Sequence, residues 1–238
     1  MRDRIKNGDY FKRYLEYEYA RIEKFEKAVK KVIQERGETD RGVQSGLRSI
    51  EGFYFNTLNA LYSSGAPLKN IKEFFPKVLD SMKPVWNSNS GYVEMVWMVS
   101  IGIMLEIPKE EMHELESMIA EDGIKDYLLD FLMSYYNKDC ERSAENFKFE
   151  IPYKSLYSVI NASNKEKALS NLKKYLIDDW YQGHKDTGWY DTHKSNEDIY
   201  NGYWSFESGA IAKILELDDH ILKDVPYYLY DMVHYQKD

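Results

Sequence analysis

The chain has 238 residues, one cysteine and a formal net charge of −8. That length buries a full core, as one large domain or two small ones. A lone Cys140 excludes an internal disulfide and fits a reducing compartment. The opening MRDRIKNGDYF lacks the apolar core of a signal peptide, and the longest apolar run, Met95 to Leu105, falls short of the ~20 residues that span a bilayer. The expectation is a cytoplasmic protein with no membrane association.

Nearly every segment reads as helix. Leu15, Ile22, Phe25, Val29 and Val32 recur at steps of three or four, which predicts a long helix over Asp9–Arg36 that Gly37 stops. Leu47, Ile50, Tyr54, Leu58 and Leu61 predict the next, closed by Gly65 with Pro67 beyond. Leu68 to Trp86 is again apolar at helical spacing, but Pro76 inside it predicts a kink or two short helices. Ser90 is placed as the cap of a helix to Glu106 that is apolar on nearly all sides and belongs in the middle of the fold. Pro108 opens another that Gly123 ends, and Ile124, Leu128, Phe131 and Tyr135 carry one more. The polar stretch Asn137–Ile151 is the linker candidate. A short helix follows Pro152, and Ser163 with Glu166 forms a capping box for a helix through Leu169, Leu172, Leu176 and Trp180. In Ile199–Asp231, Tyr203, Trp204, Ile211, Ile214 and Leu215 predict one amphipathic helix with Glu207 on its apolar face. A carboxylate there is expected to be buried or at a rim and to need donors from nearby aromatic residues.

No alternating run is bounded by hairpin turns, so the fold class is all-α, a compact multi-helix bundle of two similar-sized halves, residues 1–120 and 121–238. A faint repeat supports the halves: IGIMLEIPKEEM (101–112) and IAKILELDDHIL (211–222) share helix, Leu-Glu, apolar residue, break and new helix.

Charge is unevenly spread. From Asp178 onward thirteen Asp/Glu stand against five Lys, a net −8, so the first 177 residues sum to zero. Acidity of this kind repels nucleic acid and attracts a basic protein. The segment DDWYQGHKDTGWYDTHKSNED (178–198) holds His184, Asp186, Asp191 and His193 in an H-x-D…D-x-H arrangement with nitrogen and oxygen donors for a metal. Gly183 and Gly188 make it a loop, where a polar loop pinned by Trp180, Trp189 and Tyr190 weighs more than a metal site. No His-Asp dipeptide, Gly-rich phosphate loop, G-x-S-x-G or H-E-x-x-H occurs. Cys140 has no obvious His partner and reads as inert, and the pairs Asp178/Asp179 and Asp218/Asp219 read as solvated faces or caps. The expected partner-binding residues are Asp178, Asp179, Asp186, Asp191, Glu197 and Asp198, with Trp180 and Trp189 as anchors. A metal-dependent hydrolase built on the two-histidine loop and a helical interaction scaffold are the alternatives.

WYQGHKDTGWYDTHK, YNGYWSFESGAIAKILELDDHILKD and VPYYLYDMVHY closely resemble the C-terminal signature of the PoNi immunity proteins, which protect bacteria from PoNe-type DNase toxins. Arg2-Asp3, Tyr10-Phe11 and Tyr62-Ser63-Ser64-Gly65 resemble the N-terminal half, and Gly202–Glu207 is the most specific part. Within the signature Tyr203, Trp204, Glu207, Tyr227, Tyr228 and Asp231 are candidates for structure or binding. Leu229 stands where the family pattern commonly has proline, and Ser208-Gly209 replaces small alanines. The resemblance implies an all-α cytosolic protein that binds its cognate toxin and blocks nuclease activity, with no catalysis and no cofactor; the acidity adds the expectation of a basic surface on that nuclease and of no direct nucleic-acid contact.

Overall fold

The computed structural model describes residues 1–138 and 144–236, and among them there is no strand. Cys140 lies outside the described residues. No helix among the described residues is long and apolar enough to cross a membrane.

The chain divides into two compact units that do not follow chain order. The first comprises Met1–Ser90 with Asp191–Tyr203, the second Gly91–Tyr190 with Trp204–Asp238. The described parts of the linker candidate, 137–138 and 144–151, belong to the second unit, and 139–143 lie outside the described residues. Its Asn146 carbonyl accepts the Tyr127 N–H, and its Lys148 N–H donates to Asp126.

In the first unit, helix α1 (Gly8–Arg36) runs antiparallel to α2 (Arg41–Ser64), which also carries α3 (Leu68–Met82). Asn7 caps α1 through the Tyr10 N–H, and Gly37 ends it at φ 87°. Where α1 and α2 meet, a Cβ on Gly46 would lie 2.4 Å from Val29 Cγ2, so glycine sets their separation. Phe25 meets Phe53 edge to face at 5.0 Å. Further along α1, Glu18 is buried; it pairs with Arg21 at 2.9 Å, and Arg21 lies 3.7 Å over the Phe53 ring. Of the two outcomes expected at Pro76, two short helices do not form: α3 is one continuous helix. The missing N–H of Pro76 costs one ladder bond, which the burial of Ile71, Phe74, Phe75, Val78, Leu79 and Met82 offsets.

The N-terminal motifs close this unit. Arg2 donates to the carbonyls of Tyr62 and Ala66 and sits over the Tyr62 ring, while Asp3 accepts the Tyr200 hydroxyl. Tyr10 and Tyr200 exchange bonds: the Tyr10 hydroxyl donates to the Tyr200 carbonyl and accepts its N–H. Gly65, at φ 85°, admits Met1, whose nitrogen lies 2.6 Å from where a Cβ would stand.

In the second unit, α4 (Tyr92–Met104) is buried on nearly all sides and packs against α5 (Lys109–Asp122), α6 (Tyr127–Tyr136) and α9 (Phe206–Ile214). Helix α7 (Tyr157–Ile160) packs on α8 (Lys165–Lys174), and α10 (Tyr230–Val233) packs on α9. Ser90 does not cap α4. Gly91 precedes the helix without a side-chain cap, and the Ser90 hydroxyl donates to Asn87 instead. Asn164, not Ser163, caps α8 through the Lys167 N–H, and beyond Lys174 the chain continues as a π-helix over Tyr175–Trp180. The single helix expected from Tyr203 starts only at Phe206; Tyr203 and Trp204 lie before it in non-helical chain. The Ser205 N–H donates to the Tyr227 carbonyl at 2.9 Å, just before the helix starts.

The faint repeat is real at the ends of α4 and α9. The Leu105 and Ile107 amides bond back to Ile101 and Gly102, and the Leu215 and Leu217 amides to Ile211 and Ala212. The glutamates between them, Glu106 (φ 52°) and Glu216 (φ 50°), take the left-handed position that terminates a helix. Lysines satisfy the exposed carbonyls: Lys213 donates to Met104 O and Lys165 to Glu216 O. At Gly209 a Cβ would stand 2.5 Å from Met104 Sδ, so glycine in place of alanine lets α9 approach α4.

Candidate functional site

The signature residues are mostly interior. Glu207, in the first turn of α9, is fully buried; its Oε1 accepts the Tyr175 hydroxyl at 2.9 Å and the Ser205 hydroxyl at 2.8 Å. Burial raises its pKa, against lowering by Ser205, its own backbone, Tyr175 and Trp180. Trp180 acts on it without a formed bond, since neither Glu207 Oε2 nor Trp180 Nε1 reaches hydrogen-bond geometry. The buried alternative for this carboxylate is therefore the correct one. Tyr203 is buried in the first unit, its hydroxyl 2.9 Å from His193 Nδ1 and 3.2 Å from Thr192 Oγ1. Trp204 and Tyr228 are also buried, and the Tyr228 hydroxyl donates to Asp219. Asp219 is thus an interior acid, with His234 Nε2 at 3.2 Å from it, not part of a solvated pair with Asp218. Tyr227 is half-buried and Asp231 exposed.

The expected contact residues fall in both units. In the second, Asp178 and Asp186 are exposed, while Asp179 and Trp189 are half-buried. In the first, Glu197 and Asp198 are exposed, Asp198 lies 3.9 Å from Arg13, and the half-buried Asp191 pairs with Lys194 at 2.8 Å. Trp180 is not a surface anchor: it is fully buried, stacked 5.5 Å from Trp189 and with the His184 ring tilted against it at 5.2 Å. Chain composition cannot distinguish such a tryptophan from an exposed one, and only packing does.

His184 is also interior. Its Nδ1 lies 2.6 Å from the Trp180 carbonyl and its Nε2 3.1 Å from the Tyr153 hydroxyl. Burial pushes its pKa down to about 4, against raising by the Trp180 carbonyl and Asp186, so the imidazole is neutral. Both nitrogens are engaged, which withdraws His184 from the two-histidine metal arrangement. Among the described residues no group of three or more His, Cys, Asp or Glu side chains is placed to hold a metal ion. Sequence reasoning named Tyr190 as a pin of the loop but missed Tyr181, which stacks on it at 4.6 Å.

The family described as PoNe immunity protein (PoNi), N-terminal, matches residues 2–117, and that described as PoNe immunity proteins (PoNi), C-terminal, matches residues 124–232. No curated protein matches the chain. Among solved structures, protein PA2201 from Pseudomonas aeruginosa is similar, with a TM-score of 0.74 at 15% identity over 98% of this chain and 89% of that one. At that identity the likeness speaks for the fold. With two matched segments spanning nearly the whole chain, the protein belongs to the PoNe immunity protein (PoNi) family.

Proposed function

We propose that the chain binds a cognate DNase toxin and neutralises it by covering the basic surface through which the toxin holds DNA. Besides family membership, one observation carries this reading. The second unit holds 25 Asp/Glu against 14 Lys/Arg, a net −11, whereas the first unit sums to +3. A nuclease's DNA cleft is positive, so an acidic unit is drawn to it, speeds encounter and competes with the substrate. Asp178, Asp179 and Asp186 suit that task, because no cation among the described residues pairs with them. Trp189 is the half-buried aromatic of the same segment, and Asp191, Glu197 and Asp198 are further proposed contacts on the first unit.

The test measures association with the cognate DNase, sought among the genes flanking this chain's own, for the parent and for Asp178→Asn/Asp179→Asn/Asp186→Asn, across a range of salt. The triple variant is expected to associate about tenfold or more slowly at low salt and to show a flatter salt dependence. Unchanged kinetics would move the interface elsewhere, and no binding by the parent chain would leave the scaffold reading with a different partner.

A further inference from the structure

Three tyrosines from two separate stretches of the second unit stack in a row. Tyr190 lies 4.6 Å from Tyr181 at an interplanar angle of 30°, and Tyr181 lies 5.5 Å from Tyr227 at 10°. Trp180 backs the row, 4.7 Å from Tyr227, and Trp189 stacks on Trp180. All three tyrosines are half-buried, whereas Trp180 behind them is fully buried. The row is also fixed from the backbone. Tyr227 sits at φ 69°, a conformation bulky residues rarely adopt, and its carbonyl holds the Ser205 N–H at 2.9 Å.

Rings that served only the core would be covered. Rigid rings held part-open to solvent offer large contact area with little entropy left to lose, which is the property of interface anchors. Their surroundings select the occupant. Asp179 precedes Tyr181 by two residues, Asp186 lies in the loop between Tyr181 and Tyr190, and neither pairs with a cation among the described residues. Lys185 is in the same loop and makes no ion pair there. A guanidinium stacks flat on a tyrosine face and keeps its in-plane N–H groups for carboxylates, whereas a compact, strongly hydrated ammonium gains less.

We propose that the Tyr181–Tyr190–Tyr227 stack is the anchor that takes an arginine side chain of the bound protein, with Asp179 and Asp186 supplying the counter-charge. The inference rests on the partner-binding reading above and adds to it the chemistry of the contact.

The experiment titrates the full-length chain with two peptides of about ten residues, alternating glycine–arginine and alternating glycine–lysine, and follows tryptophan and tyrosine fluorescence. The arginine peptide is expected to bind about threefold or more tightly than the lysine peptide. Tyr181→Ala and Tyr190→Ala should erase that preference, Tyr190→Phe should keep it, and Asp179→Asn/Asp186→Asn should weaken both peptides. Should Tyr181→Ala not fold, Tyr190→Ala at the end of the row decides. Equal binding of the two peptides, or a preference that survives both alanine variants, overturns the proposal. The cognate DNase separates the two readings. It should bind Tyr190→Ala about 30-fold more weakly than the parent. Equal binding to both removes the anchor and leaves the immunity reading intact; no binding to the parent, with the arginine preference preserved, removes the immunity reading alone.

Discussion

Glu207 is a fully buried acid of the second unit, and its replacement separates hydrogen bonding from charge. Its Oε1 receives two buried donors, the hydroxyls of Tyr175 and Ser205. Glu207→Ala strands both. Each orphaned buried group costs about 1–3 kcal/mol, so the variant should lose on the order of 2–6 kcal/mol, a large share of the ~5–15 kcal/mol that holds a typical domain together. Glu207→Gln keeps an oxygen for both hydroxyls but turns an N–H toward the Trp180 indole, donor against donor, at about 1–2 kcal/mol. The two variants also differ in pH dependence. The folded pKa of Glu207 is raised above its ordinary 4.5 by burial, so the folded chain binds this proton more tightly than the unfolded chain. Its stabilising contribution is complete below about pH 4.5 and declines as the pH rises through the folded value, each tenfold gain in proton affinity being worth about 1.4 kcal/mol. Urea denaturation of the parent and Glu207→Gln in steps from about pH 4 to pH 8 should therefore show the deficit of the variant shrinking as the pH rises. Parallel profiles, or a cost below about 1 kcal/mol for Glu207→Ala, would refute the reasoning.

His184 titrates in the opposite sense: its pKa falls from 6.5 to about 4 on folding, so its contribution is whole above pH 6.5 and is lost as the pH drops toward 4. Over that window the parent should lose on the order of 3 kcal/mol more than His184→Asn, read from denaturation at each pH. Gly46→Ala drives a methyl into Val29 and should cost about 1–3 kcal/mol, whereas Gly52→Ala, with nothing within 4 Å of the new Cβ, should add up to about 1 kcal/mol; thermal melts that move alike contradict this. Arg21→Ala leaves the buried Glu18 without its cation and Phe53 without its cover, so denaturation should register a loss of about 2–4 kcal/mol. Arg21→Lys should restore only part of it.

Helices with local punctuation were legible in the chain. Gly37, Gly65 and Gly123 end their helices in left-handed or extended turns where expected, and the all-round apolar α4 is central to its unit. Elements set by distant partners were not. Tyr203 and Trp204 have helical spacing, but the bond from Ser205 to Tyr227 and the network of Tyr200, Tyr203 and His193 hold that stretch out of a helix. A cut at residue 120 likewise could not foresee that Asp191–Tyr203 groups with the first 90 residues, because its ties to Asp3, Tyr10 and Ser63 lie more than a hundred residues away in the chain. At the site, the acid excess is a matter of counting and was visible. The burial of Trp180 and the row joining Tyr181 and Tyr190 to Tyr227 depend on packing and left no periodic trace.

An acidic helical unit that blocks a DNase by binding it must act on DNA cleavage itself. The direct measurement is DNA cleavage by the cognate DNase, with the purified protein added in steps. Cleavage should fall to zero near one equivalent and return in part when Asp178, Asp179 and Asp186 are neutralised together. Undiminished cleavage at a large excess of the protein would contradict it.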